Sequence, residues 1–247
     1  MNRVLVAGVV AALAGAGALA DEPPKKRDGP KYEFREEHDP NGIGKFYLGR
    51  EIAHVMGYQA AGWLERKERA KEEAPEKLIK ALDIKGGMVI ADVGPGSGYH
   101  TFMLAPLVGE KGKVIASDIQ QEMLDLIAKK AKDLKVTNVE TVKGTPTDPK
   151  LPAGKVDLIL MVDVYHEFEH PYEMAEKMVE ALKPGGRLVF VEFRLEDDKV
   201  PIKLVHKMSE RQVVKEMVPF AELTHTKTVG TLPWQHVIVF TKKEPKR

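Results

Sequence analysis

Apolar runs and amphipathic stretches alternate in a regular way over the C-terminal part of the chain. Apolar runs at 88–93, 113–118 and 156–164 predict strands that are buried on both faces. Between them, residues 99–108 and 120–134 place apolar side chains at the spacing of helices. This strand–helix alternation predicts an α/β fold with a mostly parallel sheet and helices on both faces.

The same alternation continues to the C-terminus. Strands are predicted at 138–143 and 187–193, and helices at 171–182 and 209–217. The last two predicted strands, 223–229 and 235–241, are separated by only five residues, 230–234. Because a short connection joins antiparallel strands, these two strands predict a C-terminal antiparallel hairpin at one edge of the sheet.

The segment before these elements falls into two parts by composition. Residues 21–45 are rich in proline, glycine and charge, which predicts a flexible tether. Residues 46–82 place apolar side chains such as Ile52 and Met56 at helical spacing, followed by a charged run. This pattern predicts an N-terminal helical cap, and residues 83–247 are then the main domain.

The first residues have the pattern of a secretory signal peptide. A short basic start precedes the apolar run 4–20, which ends in the small-x-small sequence Ala18-Leu19-Ala20. Residues 1–20 therefore predict a periplasmic or secreted protein. The basic residues at 25–27 favour an alternative, in which the run stays uncleaved and anchors a body that faces the cytoplasm.

Composition excludes several function classes. The 247 residues carry a formal net charge of +1, so the overall charge gives no indication of nucleic-acid binding. The chain contains no cysteine, which excludes disulfides, thiolate catalysis and cysteine-ligated metal sites.

A glycine-rich turn lies between the first buried strand and the helix that follows it. Gly94, Gly96 and Gly98 allow a tight turn and a close approach of a ligand to the backbone, and the amides at the start of the helix face that ligand. Asp92 precedes the turn by two residues and would repel a pyrophosphate. The pattern favours a ligand that carries an ammonium group instead.

Four segments in this order resemble the motifs of class I S-adenosylmethionine-dependent methyltransferases. The segment "ADVGPGSGYHT" resembles their glycine motif, and "VIASDIQQEML" resembles the motif that ends the second strand. The segment "VDLILMVDVYHEF" is similar to their fourth strand, and "ALKPGGRLVFVEF" to the turn into the fifth. The resemblance covers about residues 78–241.

The resemblance implies a Rossmann-like sheet of seven mostly parallel strands, with S-adenosyl-L-methionine as the cofactor. The glycine turn and its acid would hold the methionine end of the cofactor, a second acid the ribose, and a residue after the third strand the adenine. The implied cofactor-binding residues are Asp92, Gly94, Gly96, Gly98, Tyr99, Asp118, Ile119, Thr145 and Asp163.

The candidate catalytic residues Asp163, Tyr165 and His166 follow the fourth strand of the domain. His166 is the best general base by type, because its reference pKa of about 6.5 suits proton transfer near neutrality. The alternative is that His166 shapes the pocket or contacts the methionine end of the cofactor. Further residues are candidates for the acceptor pocket: Tyr47, Arg50, Glu51, His54, Trp63, His206 and Lys207.

The same loop contains the zinc-binding pattern H-E-x-x-H, formed by His166, Glu167 and His170. That pattern needs a helix, and Pro171 disfavours helical geometry at the residue before it. We therefore expect no metal, and a zinc hydrolase is kept only as an alternative.

The sequence predicts an enzyme that transfers a methyl group to an oxygen or nitrogen atom of a small-molecule acceptor. A protein acceptor is less favoured, no nucleic-acid partner is expected, and membrane contact is expected only if residues 4–20 stay uncleaved. The other alternative is a protein that binds S-adenosylmethionine without catalysis. "GSGYHT" is also similar to protein isoaspartate methyltransferases, but their substrate-binding segment is not recognisable here.

Overall fold

A computed structural model describes residues 32–245 as a seven-stranded sheet flanked by helices, with a small three-stranded sheet at the N-terminal side. The predicted signal peptide and residues 21–31 of the predicted tether lie outside the described residues. Among residues 32–245, no helix combines the length and the apolar composition that crossing a bilayer would require.

The strands and helices have the following bounds. The strands are β1 (Tyr32–Phe34), β2 (Gly42–Tyr47), β3 (Arg50–Ala53), β4 (Val89–Val93), β5 (Lys113–Asp118), β6 (Val139–Lys143), β7 (Val156–Val162), β8 (Leu182–Phe193), β9 (Leu223–Val229) and β10 (Gln235–Lys242). The α-helices are α1 (Ala61–Leu64), α2 (Arg69–Glu72), α3 (Pro75–Ala81), α4 (Tyr99–Val108), α5 (Gln121–Leu134), α6 (Pro171–Ala181) and α7 (Glu210–Met217).

The large sheet has the strand order β6-β5-β4-β7-β8-β10-β9. Strands β4 to β8 pair in parallel, whereas β10 is antiparallel to both β8 and β9. This confirms the predicted Rossmann-like sheet and its C-terminal hairpin. The chain runs outward from β4 to β6 and then returns to β7 on the other side of β4. In such sheets ligands bind outside the carboxyl ends of the strands at this reversal.

The core lies on both faces of the large sheet. Successive residues of a strand point to opposite faces, and β7 follows this rule. Ile159 and Met161 pack in the cluster that includes α6 and α7, whereas Leu158 and Leu160 pack in the cluster that includes α3 and α4. Helices therefore cover both faces, and the strand ends remain available for a site.

The helical prediction for residues 46–82 was wrong over its first part, because β2 and β3 form a hairpin there. Tyr47 pairs with Arg50, so Leu48 and Gly49 are the two central residues of the turn. Both have positive φ, 49° and 90°, as the tight hairpin turns that match strand twist require. Strand β1 lies within the predicted tether and pairs with β2.

Partly buried polar contacts join the small sheet to the main domain. Arg50 on β3 makes two hydrogen bonds to the carboxylate of Glu216 on α7, at 2.8 and 3.0 Å. Tyr32 on β1 donates a hydrogen bond of 2.6 Å to Glu173 on α6. These contacts fix the position of the chain that follows β3, which continues across the carboxyl ends of the large sheet.

Candidate active site

A cavity of about 580 Å³ lies at the carboxyl ends of β4, β5 and β7. Its volume is in the range of small-molecule sites. The strand ends and their loops form its floor, and residues of the N-terminal segment, including Met56, Trp63 and Leu64, form part of its wall. The cavity thus occupies the position that the sheet topology assigns to a ligand.

The glycine turn forms one side of this cavity. Gly94 and Gly96 line it, with φ of 69° and 55°. A Cβ atom on Gly96 would lie 2.4 Å from Cδ1 of Leu64, and one on Gly94 would lie 2.4 Å from Cγ2 of Val164. Both positions therefore need glycine for conformation and for space.

Asp92 lies near the end of β4, lines the cavity and is almost fully buried. Its Oδ2 accepts a hydrogen bond of 2.7 Å from the hydroxyl of Thr101 on α4. Burial raises the pKa of Asp92 to about 6, although this hydrogen bond acts in the opposite direction. A buried carboxylate is stabilised by a cationic partner, so this position suits an ammonium group.

The ends of β5 and β6 supply the next part of the wall. Asp118 ends β5, and its Oδ1 accepts a hydrogen bond of 2.8 Å from the backbone N–H of Gln120. Burial raises the pKa of Asp118, while the backbone hydrogen bonds that it accepts oppose this shift. Ile119 and Thr145 line the same region, so three neighbouring strand ends meet there.

Asp163 follows β7 with a φ of 52°, which is rare for a residue other than glycine. Its Oδ2 accepts a hydrogen bond of 2.6 Å from the Gln235 side chain. Its Oδ1 is buried and has no hydrogen-bond partner among residues 32–245. Asp163 lines the cavity, and a strained residue with an unpartnered buried oxygen is typical of a binding site.

His166 lies behind the cavity wall, with a relative exposure of 2%. Its Nδ1 is 2.6 Å from Oε2 of Glu192 on β8, and its Nε2 is 3.2 Å from Nδ1 of His206. His206 and Glu167 line the cavity, and His166 does not. Burial, and next the neighbouring His166, lower the pKa of His206 to about 4, whereas burial raises that of Glu167 to about 7.

Gln120 holds the N-terminal segment over the cavity. Its side-chain amide donates a hydrogen bond of 3.0 Å to the carbonyl oxygen of Met56, and its carbonyl oxygen accepts one of 2.9 Å from the N–H of Tyr58. The N–H of Met56 donates one of 3.3 Å to Oε2 of Glu167. The segment thus spans from the end of β7 to the end of β5, and we call residues 54–64 the roof.

Comparison with known proteins identifies the family. Residues 84–244 match the family model of a methyltransferase domain. The chain is a member of the class I S-adenosylmethionine-dependent methyltransferases. The crystal structure of an S-adenosylmethionine-dependent methyltransferase from Aquifex aeolicus is similar, with a TM-score of 0.71 and 28% identity over 76% of this chain and 100% of that chain.

Two curated relatives also match this methyltransferase. A demethylmenaquinone methyltransferase from Lactococcus lactis is 26% identical over 64% of this chain and 61% of the relative. A ubiquinone/menaquinone biosynthesis C-methyltransferase from Escherichia coli is 32% identical over 47% of this chain and 46% of the relative. The chain therefore spans about half to three fifths of the length of these curated relatives.

The cavity fits S-adenosylmethionine, the cofactor of this family, on the geometry described above. The cradle at Gly94 and Gly96 would be filled by any larger side chain. Asp92 provides a buried carboxylate for the ammonium group, and Asp118 provides a carboxylate at a strand end for the ribose hydroxyls. The residues present thus provide the hydrogen-bond acceptors that the ammonium group and the ribose hydroxyls of the cofactor need.

Two predicted cofactor residues of this methyltransferase do not line the cavity. Gly98 precedes α4 with a φ of 80°, and a Cβ there would lie 2.9 Å from Cγ1 of Ile127, so conformation and packing both favour glycine at this position. The ring of Tyr99 lies beneath the guanidinium of Arg69, at 4.4 Å. Arg69 itself is buried and lines the cavity, yet it lies in a charged run that is typical of a solvent-exposed helix face.

The catalytic candidates have different positions. Asp163 lines the cavity, and His166 reaches it only through His206. Tyr165 is fully buried in the apolar core, where its ring contacts Phe168 and Phe190 edge-on. Its hydroxyl therefore has no access to an acceptor in the cavity, and the geometry does not support the predicted catalytic role.

Most of the acceptor-pocket candidates also lie elsewhere. Trp63 and His206 line the cavity, whereas the other five do not: Tyr47, Arg50, Glu51, His54 and Lys207. His170 of the H-E-x-x-H pattern lies beside Lys45, and its Nδ1 is 3.4 Å from the Nζ atom of that lysine. The sequence analysis did not identify Gln120 or Arg69. Gln120 lies within the segment "VIASDIQQEML", but its contacts with residues 56 and 58 are not visible in the sequence, and Arg69 belongs to no motif. The sequence analysis also missed Glu192, whose one signal is an acid within the apolar run "LVFVEF".

Proposed function

We propose that the protein is an enzyme that transfers a methyl group to an oxygen or nitrogen atom of a small-molecule acceptor. The observation that carries this proposal is the continuity of the cavity. The cavity is lined by the cofactor positions Asp92 and Asp118 and also by Glu167, Lys203 and His206. We assign the acceptor to the latter group, which we call the second end of the cavity. One cavity would then hold both reactants side by side, which is what methyl transfer requires.

S-adenosylmethionine supplies a methyl group that is already activated by a positively charged sulfur. The protein therefore has to align the reactants and exclude water. Asp92, Asp118 and the glycine turn would hold the cofactor, and the free Oδ1 of Asp163 would accept a hydrogen bond from a bound ligand. The roof, joined to the strand ends by Gln120 and Glu167, would keep water out.

The lining of the second end favours an acceptor that has an apolar body and a polar group. Phe168, Met174, Phe193 and Ile202 supply the apolar surface there. A phenolic or quinol-like compound combines these two properties. We propose a small molecule rather than a protein as the acceptor.

Methylation at carbon is the second candidate. The relatives from Lactococcus lactis and Escherichia coli are a demethylmenaquinone methyltransferase and a ubiquinone/menaquinone C-methyltransferase. Loss of a proton from a phenolic hydroxyl also activates the neighbouring ring carbon, so the same apolar and polar lining would serve either outcome. Mass spectrometry of the product separates a methyl ether from a ring-methylated compound.

The first test is calorimetric titration of the full chain with S-adenosylmethionine and with S-adenosylhomocysteine, followed by incubation with phenols, quinols and amines. We expect micromolar binding that is lost in Asp118→Ala, and S-adenosylhomocysteine formation with at least one acceptor class. Absence of binding to either ligand would contradict the proposal. Binding without any S-adenosylhomocysteine formation would favour the non-catalytic alternative.

We propose in addition that residues 1–20 direct export, so that the enzyme acts in the periplasm or outside the cell. This rests on the apolar run and the small residues at its end. Cell fractionation with N-terminal sequencing of the mature protein tests it. Recovery of an intact N-terminus in the membrane fraction would support the anchored alternative.

A further inference from the structure

Three metal-ligating side chains meet at the acceptor end of the cavity. His166 and Glu167 lie on one 3₁₀ turn, Tyr165–Glu167, and His206 lies on another, Leu204–His206. One ligand atom from each lies within 4.8 Å of the others. Ligands bound at about 2.0–2.2 Å from a common metal ion stand roughly 3–4 Å apart, so the cluster has the dimensions of a cation site.

The individual distances fit one ion between the three atoms. His166 Nε2 is 3.2 Å from His206 Nδ1, and Glu167 Oε1 is 4.0 Å from the former and 3.9 Å from the latter. The other oxygen of Glu167 accepts the backbone hydrogen bond from Met56. Oε1 is therefore the carboxylate atom that faces the two imidazoles.

Glu192 determines which nitrogen of His166 is free to ligate. Its Oε2 lies 2.6 Å from His166 Nδ1, and a carboxylate can only accept, so the proton of the neutral imidazole lies on Nδ1. The lone pair on Nε2 is then directed at His206 and Glu167. Histidine ligands of metals are generally oriented by such a carboxylate on the second nitrogen.

The cluster is open on one side. Glu167 and His206 both line the cavity, so an ion held here would have protein ligands behind it and the acceptor space in front. Two histidines and one carboxylate with an open position are the donor set of catalytic zinc sites and of several non-haem iron(II) sites.

We propose that His166, Glu167 and His206 bind a divalent transition-metal ion whose open position takes an oxygen atom of the acceptor. This inference rests on the proposed function and specifies its acceptor as a compound with a hydroxyl group. A hydroxyl that ligates the ion gives up its proton to water more readily, and the electron pair of the O–H bond stays on oxygen. The proposed site differs from the expectation of no metal. It also differs from the H-E-x-x-H pattern, because His170 lies outside the cluster.

Cobalt(II) titration of the chelator-treated full chain tests the site, with visible absorption and calorimetry as readouts. We expect a single cobalt ion per chain with the absorption bands of a low-coordinate site. Binding should weaken about tenfold or more in His206→Ala and in Glu167→Gln. The matched control His170→Ala removes the second histidine of the H-E-x-x-H pattern, and this variant should bind cobalt like the wild type.

Each outcome decides between the two proposals. Absence of cobalt binding to the wild type would overturn the metal site. Cobalt binding by His206→Ala and Glu167→Gln with the affinity of the wild type would also overturn it. If S-adenosylmethionine still binds to the chelator-treated protein in that case and S-adenosylhomocysteine still forms with an acceptor, the proposed function stands and only the metal fails. If neither ligand binds, the proposed function fails as well. Circular dichroism of every variant reports whether it is folded.

Discussion

Glu192 Oε2 lies 2.6 Å from Nδ1 of His166, and both side chains are almost completely buried. The other oxygen of Glu192 accepts a hydrogen bond of 3.1 Å from the backbone N–H of Tyr165. Glu192 thus holds both the ring of His166 and the loop that carries it. Strand β8 is in this way connected to the acceptor end of the cavity, which neither residue lines directly.

Glu192→Gln should weaken cobalt binding about 10- to 100-fold, because the amide no longer fixes the proton of His166 on Nδ1. The volume of the side chain is unchanged, so S-adenosylmethionine should bind as in the wild type. Glu140→Gln, on the exposed face of the edge strand β6, is the matched control and should change neither. A parallel loss of cofactor affinity in Glu192→Gln would show that Glu192 supports the fold of the loop instead.

Cofactor affinity should depend on the ionisation of Asp92. Burial raises its pKa to about 6 in the free protein, and an ammonium partner favours the charged form, so binding lowers that pKa. Affinity for S-adenosylmethionine should therefore be level above about pH 6 and fall by up to about tenfold per pH unit below it. Calorimetry between pH 5 and pH 8 measures this dependence.

The control for this profile is Asp92→Asn, which should bind weakly and without a pH dependence in the same window. The hydroxyl of Thr101 can still donate to the amide oxygen at position 92, so the local packing is kept. Wild-type affinity that stays constant from pH 8 to pH 5 would exclude Asp92 as the partner of the ammonium group.

Local sequence patterns were sufficient to predict the large sheet. The bounds of α4 and β5 agree with those predicted, because apolar periodicity and the glycine turn are properties of neighbouring residues. The cap of α7 is an equally local contact, since the side chain of Ser209 accepts a hydrogen bond from the N–H of Gln212. The large sheet could therefore be predicted, and with it the strand ends that line the cavity.

The acceptor side depends on contacts that sequence patterns do not contain. His166 and His206 are separated by 40 residues and meet only because both 3₁₀ turns lie at the same strand ends. The β2–β3 hairpin was missed because its turn places Leu48 at positive φ, where Asn or Asp would have been the signal. The H-E-x-x-H pattern contains two of the three clustered residues, but its third residue lies outside the cluster.

Gly96→Ala should reduce cofactor affinity more than it reduces stability. The new Cβ would lie 2.4 Å from Cδ1 of Leu64 and would occupy the cavity wall. The positive φ adds a strain of about 1–2 kcal/mol. Gly154→Ala is the matched control, since Gly154 has a similar φ of 63° and open space around it. We expect both variants to lose thermal stability through this strain, and Gly96→Ala to lose more because of its contact with Leu64. S-adenosylmethionine binding should be lost in Gly96→Ala alone.

Gln120→Ala should loosen the roof without unfolding the domain. It removes two hydrogen bonds, to Met56 and from Tyr58, each worth about 0.5–1.5 kcal/mol. If the roof closes over the cofactor, S-adenosylmethionine should bind about tenfold more weakly, and amide exchange should accelerate in residues 54–64. Gln121→Ala is the adjacent control, because that side chain is exposed and contacts only Asp125 among the hydrogen-bond partners within residues 32–245. Unchanged affinity together with faster exchange would show that the roof covers the cavity without contributing to cofactor binding.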